Sequence, residues 1–273
     1  MNRRTFLGAS SGALATLAGC LGGGTNAAAR PIKHPGNLET TFHANGDYPS
    51  DNDYSDGFPP EYGQQANERS VDESTFSQLS TNGESVTLVP IDVAHYWHQR
   101  QSARFVDARG QRQYERSHVF GSVLSPAVKN SQGGPIEGWP KDDRVVCYCG
   151  CPHHLSSIRA AGLQKSGFSN VYVIDEGFGE WRGRGYPMRG TSFAAPENAV
   201  IEGDVAAQYA GEYVWATNPA SGQQEAAPIR EDGSFELHLY FSGMNDEMPI
   251  RVSGPSFEVT RPLGELTAAV LTP

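Results

Sequence analysis

Apolar positions follow two rhythms along the 273 residues. Between Glu84 and Gly190, short β-prone runs alternate with helix-like segments. Val86 to Val89, Arg104 to Ala108, Val119 to Leu124, Val145 to Tyr148 and Val171 to Ile174 read as strands. Pro90 opens a helix through Ser102. A second helix runs from Ser156 to Lys165 with Gly167 as its stop, and a short last one covers Phe178 to Arg182. This alternation predicts an α/β domain over 84–190 with a parallel sheet. After Thr191 the rhythm changes. Ala199 to Ile201, Glu212 to Ala216, Phe235 to Phe241, Ile250 to Ser253 and Phe257 to Thr260 read as short strands between turn-forming segments. From Ser234 onward, Phe235, Leu237, Leu239 and Phe241 share one face. Residues 191–273 therefore read as a small β-sandwich domain with no visible nucleophile–base set.

The N-terminal part lacks either rhythm. Asn2-Arg3-Arg4-Thr5-Phe6-Leu7 is a twin-arginine pattern, followed by an uncharged small-residue run and by Leu17-Ala18-Gly19-Cys20, a lipobox-like end. The apolar run is shorter than the roughly 20 residues that a membrane span needs. Residues 1–19 are read as an export signal and Cys20 as a lipidation site. A lipid there would hold the chain on the outer face of the cytoplasmic membrane without spanning it. Residues 20–83 read as a largely irregular tether, rich in Gly, Asn, Asp, Ser and Pro.

The formal charge is −10, and loss of Arg3 and Arg4 with the signal leaves −12. This excess of negative charge argues against nucleic acid as a partner. Of the four cysteines, three fall within five residues: Cys147, Cys149 and Cys151. An odd number beyond Cys20 cannot complete a disulfide framework, so at least one thiol is reactive or transiently paired. The cluster sits where a strand gives way to Gly150, Pro152, His153, His154 and a helix start. Unpaired N–H groups at a helix N-terminus stabilise a thiolate or an anion.

Four ordered motifs resemble the rhodanese-like domain family. Phe105-Val106-Asp107-Ala108-Arg109 is similar to its strand ending in Asp-x-Arg, and Glu115 to Ser122 to its Glu-x-Gly-His-Ile-x-Gly-Ala segment, with Ser117 in place of Gly. Val145 to Cys149 is similar to the strand that ends in the active-site cysteine. Gly177-Phe178-Gly179-Glu180-Trp181 with Gly185-Tyr186-Pro187 is similar to the closing Gly-Gly-x-x-x-Trp…Gly-x-Pro signature, with Glu176 replacing the first Gly. The resemblance implies a three-layer α/β domain over 84–190 and a sulfurtransferase without a cofactor. Its partners would be a small thiosulfate-like sulfur donor and a thiol or other nucleophilic acceptor. It implies bracing roles for Asp107 and Arg109, a scaffold hydrogen bond for His118 and a core place for Trp181.

Aligned by the strand, Cys149 is the nucleophile; aligned by the helix through Arg159-Ala160-Ala161, Cys151 takes that place. The strand–cysteine join is the less elastic, which favours Cys149. Gly150, Cys151, Pro152, His153, His154, Leu155, Ser156 and Ser157 then form a loop cradling a sulfur species with backbone N–H groups, Ser156 or Ser157 capping the helix. Phosphatase-type chemistry needs Cys-x5-Arg; six residues after Cys149 stands Leu155, and six after Cys151 stands Ser157. Three alternatives remain: thiol–disulfide chemistry through Cys149-Gly150-Cys151, metal binding by the three cysteines with His153 and His154, and a non-catalytic binding lipoprotein.

Overall fold

The computed structural model describes residues 56–59, 66–127 and 136–273. The export signal, Cys20 and most of the stretch read as a tether lie outside the described residues.

The first domain is built on six strands: β1 (Gln78–Thr81), β2 (Glu84–Val89), β3 (Arg104–Asp107), β5 (Val123–Leu124), β6 (Arg144–Tyr148) and β7 (Asn170–Ile174). Their order is β1-β2-β7-β6-β3-β5, with β1 antiparallel to β2 and every other pair parallel. β1 lies inside the stretch read as a tether. It has one large apolar residue, Leu79, and no run to mark it; its hairpin ladder with β2 holds it. Val119 to Leu124 is two pieces rather than one strand. β4 (His118–Val119) pairs with β8 (Met188–Arg189), and β5 with β3.

Residues two apart on a strand share a face. Val146 and Tyr148 of β6 join Phe105, Trp97, Phe178 and Trp181 in the layer carrying helices α1 (Ile91–Gln99) and α4 (Gly177–Gly183). Val145 and Cys147 join Val106, Val173, Ala160 and Leu163 beneath α3 (His154–Lys165). These two apolar layers make the domain three-layered. Cys147 is a core residue, and burial pushes its thiol up to about 12.

The second part is β-rich. β10 (Tyr213–Thr217), β11 (Gln224–Pro228), β13 (Pro249–Ser253) and β14 (Glu258–Pro262) form an antiparallel sheet in the order β11-β10-β13-β14. β9 (Ala199–Asp204) and β12 (Ser234–Leu239) form a second antiparallel sheet. Phe235, Leu237, Leu239 and Phe241 are all buried, meeting Val214, Ala216, Ile250 and Val252 in one shared core. The edge strand β11 packs against α3 of the first domain. Gln224 Nε2 donates to the Ala127 carbonyl across this junction at 2.6 Å.

Candidate active site

Parallel sheets present the carboxyl ends of their strands as the place where ligands gather. Here the ends of β3 and β6 lie side by side, Asp107 opposite Tyr148, and the chain after each carries the polar residues. Asp107 is fully buried, its charge met by Arg109: Oδ1 accepts from Nε at 2.9 Å and from the Arg109 backbone N–H at 3.0 Å, and Oδ2 from Nη2 at 2.6 Å. Arg109 also donates to the Ser117 carbonyl and lies over the Phe178 ring at 4.2 Å. A buried pair with this many hydrogen bonds fixes one geometry, and losing either partner would strand a buried charge. Tyr148 sits beside it, its hydroxyl 3.0 Å from the Val119 backbone N–H and 2.7 Å from Ser122 Oγ.

Cys149 is the first residue beyond β6 and is fully buried. Its thiol donates to the Cys151 carbonyl at 2.9 Å and lies 3.2 Å from Ser156 Oγ. Burial works against a thiolate. The hydrogen bonds of the Cys151 thiol, the Ser156 hydroxyl and the Ser156 backbone N–H, helped by the Arg109 charge, outweigh burial and bring Cys149 down to about 7. Cys151 is held well above a free thiol, first by its hydrogen bond to Cys149 and then by burial. Its Sγ is also 3.2 Å from His154 Nδ1. The two thiols are thus driven in opposite directions, Cys149 down and Cys151 up.

The loop differs from the cradle read in the sequence. His154, Leu155, Ser156 and Ser157 are not loop but the first turn of α3, which starts two residues early. His153 enters the helix with a left-handed φ of 62° and makes no side-chain cap, its Nε2 resting 2.6 Å from Asp175 Oδ1. Neither serine is the cap, because Ser156 Oγ is used on Cys149 and Ser157 Oγ on the His154 carbonyl. The Cys151 carbonyl also turns toward the sulfur, where an all-N–H cradle would show it only donors. A carbonyl accepts from the thiol but repels a thiolate, so this contact, made by the Cys151–Pro152 peptide, favours the protonated form of Cys149.

Gly177 lets this loop lie close. Its φ is +74°, and a Cβ there would fall 3.1 Å from the carbonyl of Cys151. His118 is buried away from the thiol, stacked on Tyr114 with Nδ1 2.7 Å from the Tyr114 carbonyl; burial lowers it to about 4, so it is neutral at pH 7. Trp181 is fully buried and donates to the Pro187 carbonyl. Arg159, inside α3, bonds Ser125 Oγ rather than entering the loop. Among the described residues, no three His, Cys, Asp or Glu side chains converge to hold a metal ion.

Three features escaped sequence reasoning. A cavity of about 70 Å³ opens beside Gly150, walled by Arg109, Arg116, Arg182 and Tyr240. Arg109 is matched by Asp107, but the buried Nε of Arg116 has no hydrogen-bond partner among the described residues. Arg182 is pushed down by burial and by the charges of Arg109 and Arg116. Guanidinium groups that crowd one another around a small cavity favour an anion between them. The third feature is Glu225 on β11. It is fully buried, Oε1 accepts from Gln113 Nε2 at 3.0 Å, and Oε2 has no partner among the described residues. Burial, and then the charge on Cys149, push this carboxyl up to about 8.

Residues 93–184 match the family model described as Rhodanese-like domain. The uncharacterized protein YibN of Escherichia coli K12 is 28% identical over 123 residues, which span 42% of this chain and 78% of that protein. Two solved structures align with 38% of the chain, each at a TM-score of 0.33. One, from Rhodopseudomonas palustris and described as a possible tyrosine phosphatase, is 25% identical and is covered over 85% of its length. The other, thiosulfate sulfurtransferase from Pseudomonas aeruginosa, is 17% identical and is covered over 20%.

Proposed function

With residues 93–184 a rhodanese-like domain, we propose that this protein moves sulfane sulfur through a persulfide on Cys149. The donor is a small anion of the thiosulfate type and the acceptor a thiol or another soft nucleophile. The Cys149 thiolate attacks the sulfane sulfur, a new S–S bond forms, and the donor's S–S bond breaks with its electron pair leaving on sulfite. The acceptor then attacks the outer sulfur and the Cys149 thiolate is restored, so no external oxidant enters. The observation that carries this reading is a thiol brought down to about 7 one residue before Gly150, which lines a cavity walled by Arg116 and Arg182, two guanidiniums with no carboxylate partner among the described residues. Arg116 and Arg182 are the residues placed to draw a dianion to the mouth of the site. Cys149 itself is covered, so the donor reaches it only if the Cys151–Pro152 segment over the sulfur shifts.

The carrier is exported and held on the outer face of the membrane by a lipid on Cys20, as its first twenty residues suggest. A phosphatase reading finds less support, since no arginine stands six residues after either cysteine and Arg159 is bonded elsewhere. The thiol hydrogen bond between Cys151 and Cys149 favours one secondary outcome: attack of Cys151 on the loaded Cys149 sulfur, giving a Cys149–Cys151 disulfide and releasing hydrosulfide. The direct test is steady-state transfer from thiosulfate to a thiol acceptor by the full chain. Cys149→Ser is expected to lower the rate at least about 10³-fold, as removal of a covalent nucleophile does. Retained activity in that variant refutes the reading.

A further inference from the structure

The β-rich part does more than follow the rhodanese-like domain. Its strand β11 lies on α3, and Ala226 shares an apolar cluster with Cys149, Leu155, Ala108 and Ala127. Tyr240, just beyond β12, sits against Gly150 so closely that a Cβ there would fall 3.3 Å from its ring. Gln113 of α2 (Gln111–Arg116) reaches across to Glu225 and to the Tyr240 carbonyl. The roof of the thiol site is therefore made of residues more than seventy positions downstream of it.

We infer that Glu225 is a positioning residue of the thiol site, a buried acid that keeps its proton so that the one negative charge there without an ion-pair partner rests on Cys149. This rests on Cys149 being the reactive thiol. A buried carboxylate needs a cation or several donors, and Glu225 has one amide donor on Oε1 and, among the described residues, no partner on Oε2. As a neutral acid it needs far less. The cation that bears on it is Arg109, already bonded twice through its side chain to Asp107, whose own negative charge pushes the Glu225 carboxyl further up. The other titratable neighbours do not supply positive charge. Cys149 and Cys151 are thiols, Tyr240 is pushed up by burial, and His154 on α3 is lowered to about 4 by burial and stays neutral. On β12, Glu236 and His238 answer each other at 3.0 Å. Ionising Glu225 therefore places a second unpaired negative charge in the same buried region, and each anion raises the other's pKa. The consequence is an alkaline limb: as pH rises through about 8, the carboxylate opposes the thiolate.

The test is the ultraviolet thiolate absorbance of the full chain against pH, with Cys149→Ser subtracted and no sulfur donor present. The wild-type Cys149 curve is expected to be broad, with a second limb about one pH unit above the first, the mark of two coupled sites. Glu225→Gln, which keeps an acceptor for Gln113, is expected to titrate in one narrow step. Glu225→Met carries the same prediction if the glutamine variant does not fold. Superimposable curves for wild type and a folded variant overturn the inference. Because no donor is present, a chain that fails to transfer sulfur yet shows the coupling refutes the proposed function and leaves this inference standing.

Discussion

Two walls enclose Cys149, and they hold their carboxyls in opposite ways. The wall from the α/β domain presents Asp107, buried and saturated by Arg109. The wall from the β-rich part presents Glu225, equally buried, with one oxygen bonded to an amide and the other unpartnered among the described residues. The first arrangement suits a permanent charge that braces two strand ends. The second suits a proton. The contrast teaches that burial alone does not assign a role to a carboxyl; the number and charge of its partners does.

The comparison can be broken most severely on the first wall. Asp107→Ala would leave the Arg109 guanidinium buried without its partner, and breaking such a pair typically costs about 3–5 kcal/mol. Chemical denaturation is expected to show that loss. A change below about 1 kcal/mol would mean that the pair behaves as an exposed one. The acid side offers a test of similar size. Burial lowers His98 to about 3 and His118 to about 4, below the 6.5 of the unfolded chain. The unfolded state then binds more protons between those values, so stability falls as pH drops below 6.5. Each unit of separation is worth about 1.4 kcal/mol. Glu225 runs the other way: its raised carboxyl lends stability that is full below pH 4.5 and is lost as pH climbs through about 8. Denaturation midpoints at pH 4, 6 and 8 are expected to peak near neutrality, and a midpoint unchanged from pH 6 to 4 would contradict the buried neutral histidines.

A smaller effect sharpens the account of the cavity. Arg116→Leu and Arg182→Leu are each expected to lower kcat/KM for thiosulfate by roughly 10-fold, the worth of one charge-assisted contact, with less effect on an uncharged sulfur donor. Equal losses for charged and uncharged donors would assign these arginines to packing alone.

Much of this was legible in the sequence, but unevenly. The apolar strands announce themselves through Val, Ile, Leu and Phe, and the alternation from Phe235 to Phe241 is the observed burial pattern. The cysteine cluster marks the site because thiols are rare in the chain. β11 is invisible by the same measure: Gln224-Glu225-Ala226-Ala227-Pro228 has neither β-branched residues nor alternation, and only tertiary packing makes it a strand. Glu225 therefore carries no local signal. Arg116 and Arg182 stand on different helices and converge only when the chain folds. The helix start was misplaced because His153, in a left-handed conformation, stands at the N-cap where sequence patterns look for Ser, Thr, Asp or Asn.

The most direct test of the central claim is to treat the full chain with thiosulfate, remove the excess, and locate the added sulfur by intact-mass and fragment analysis. The account predicts one added sulfur atom on Cys149, absent from Cys149→Ser and retained, or retained longer, in Cys151→Ser. Sulfur found on Cys151 in the wild type, or no adduct at all, would contradict it.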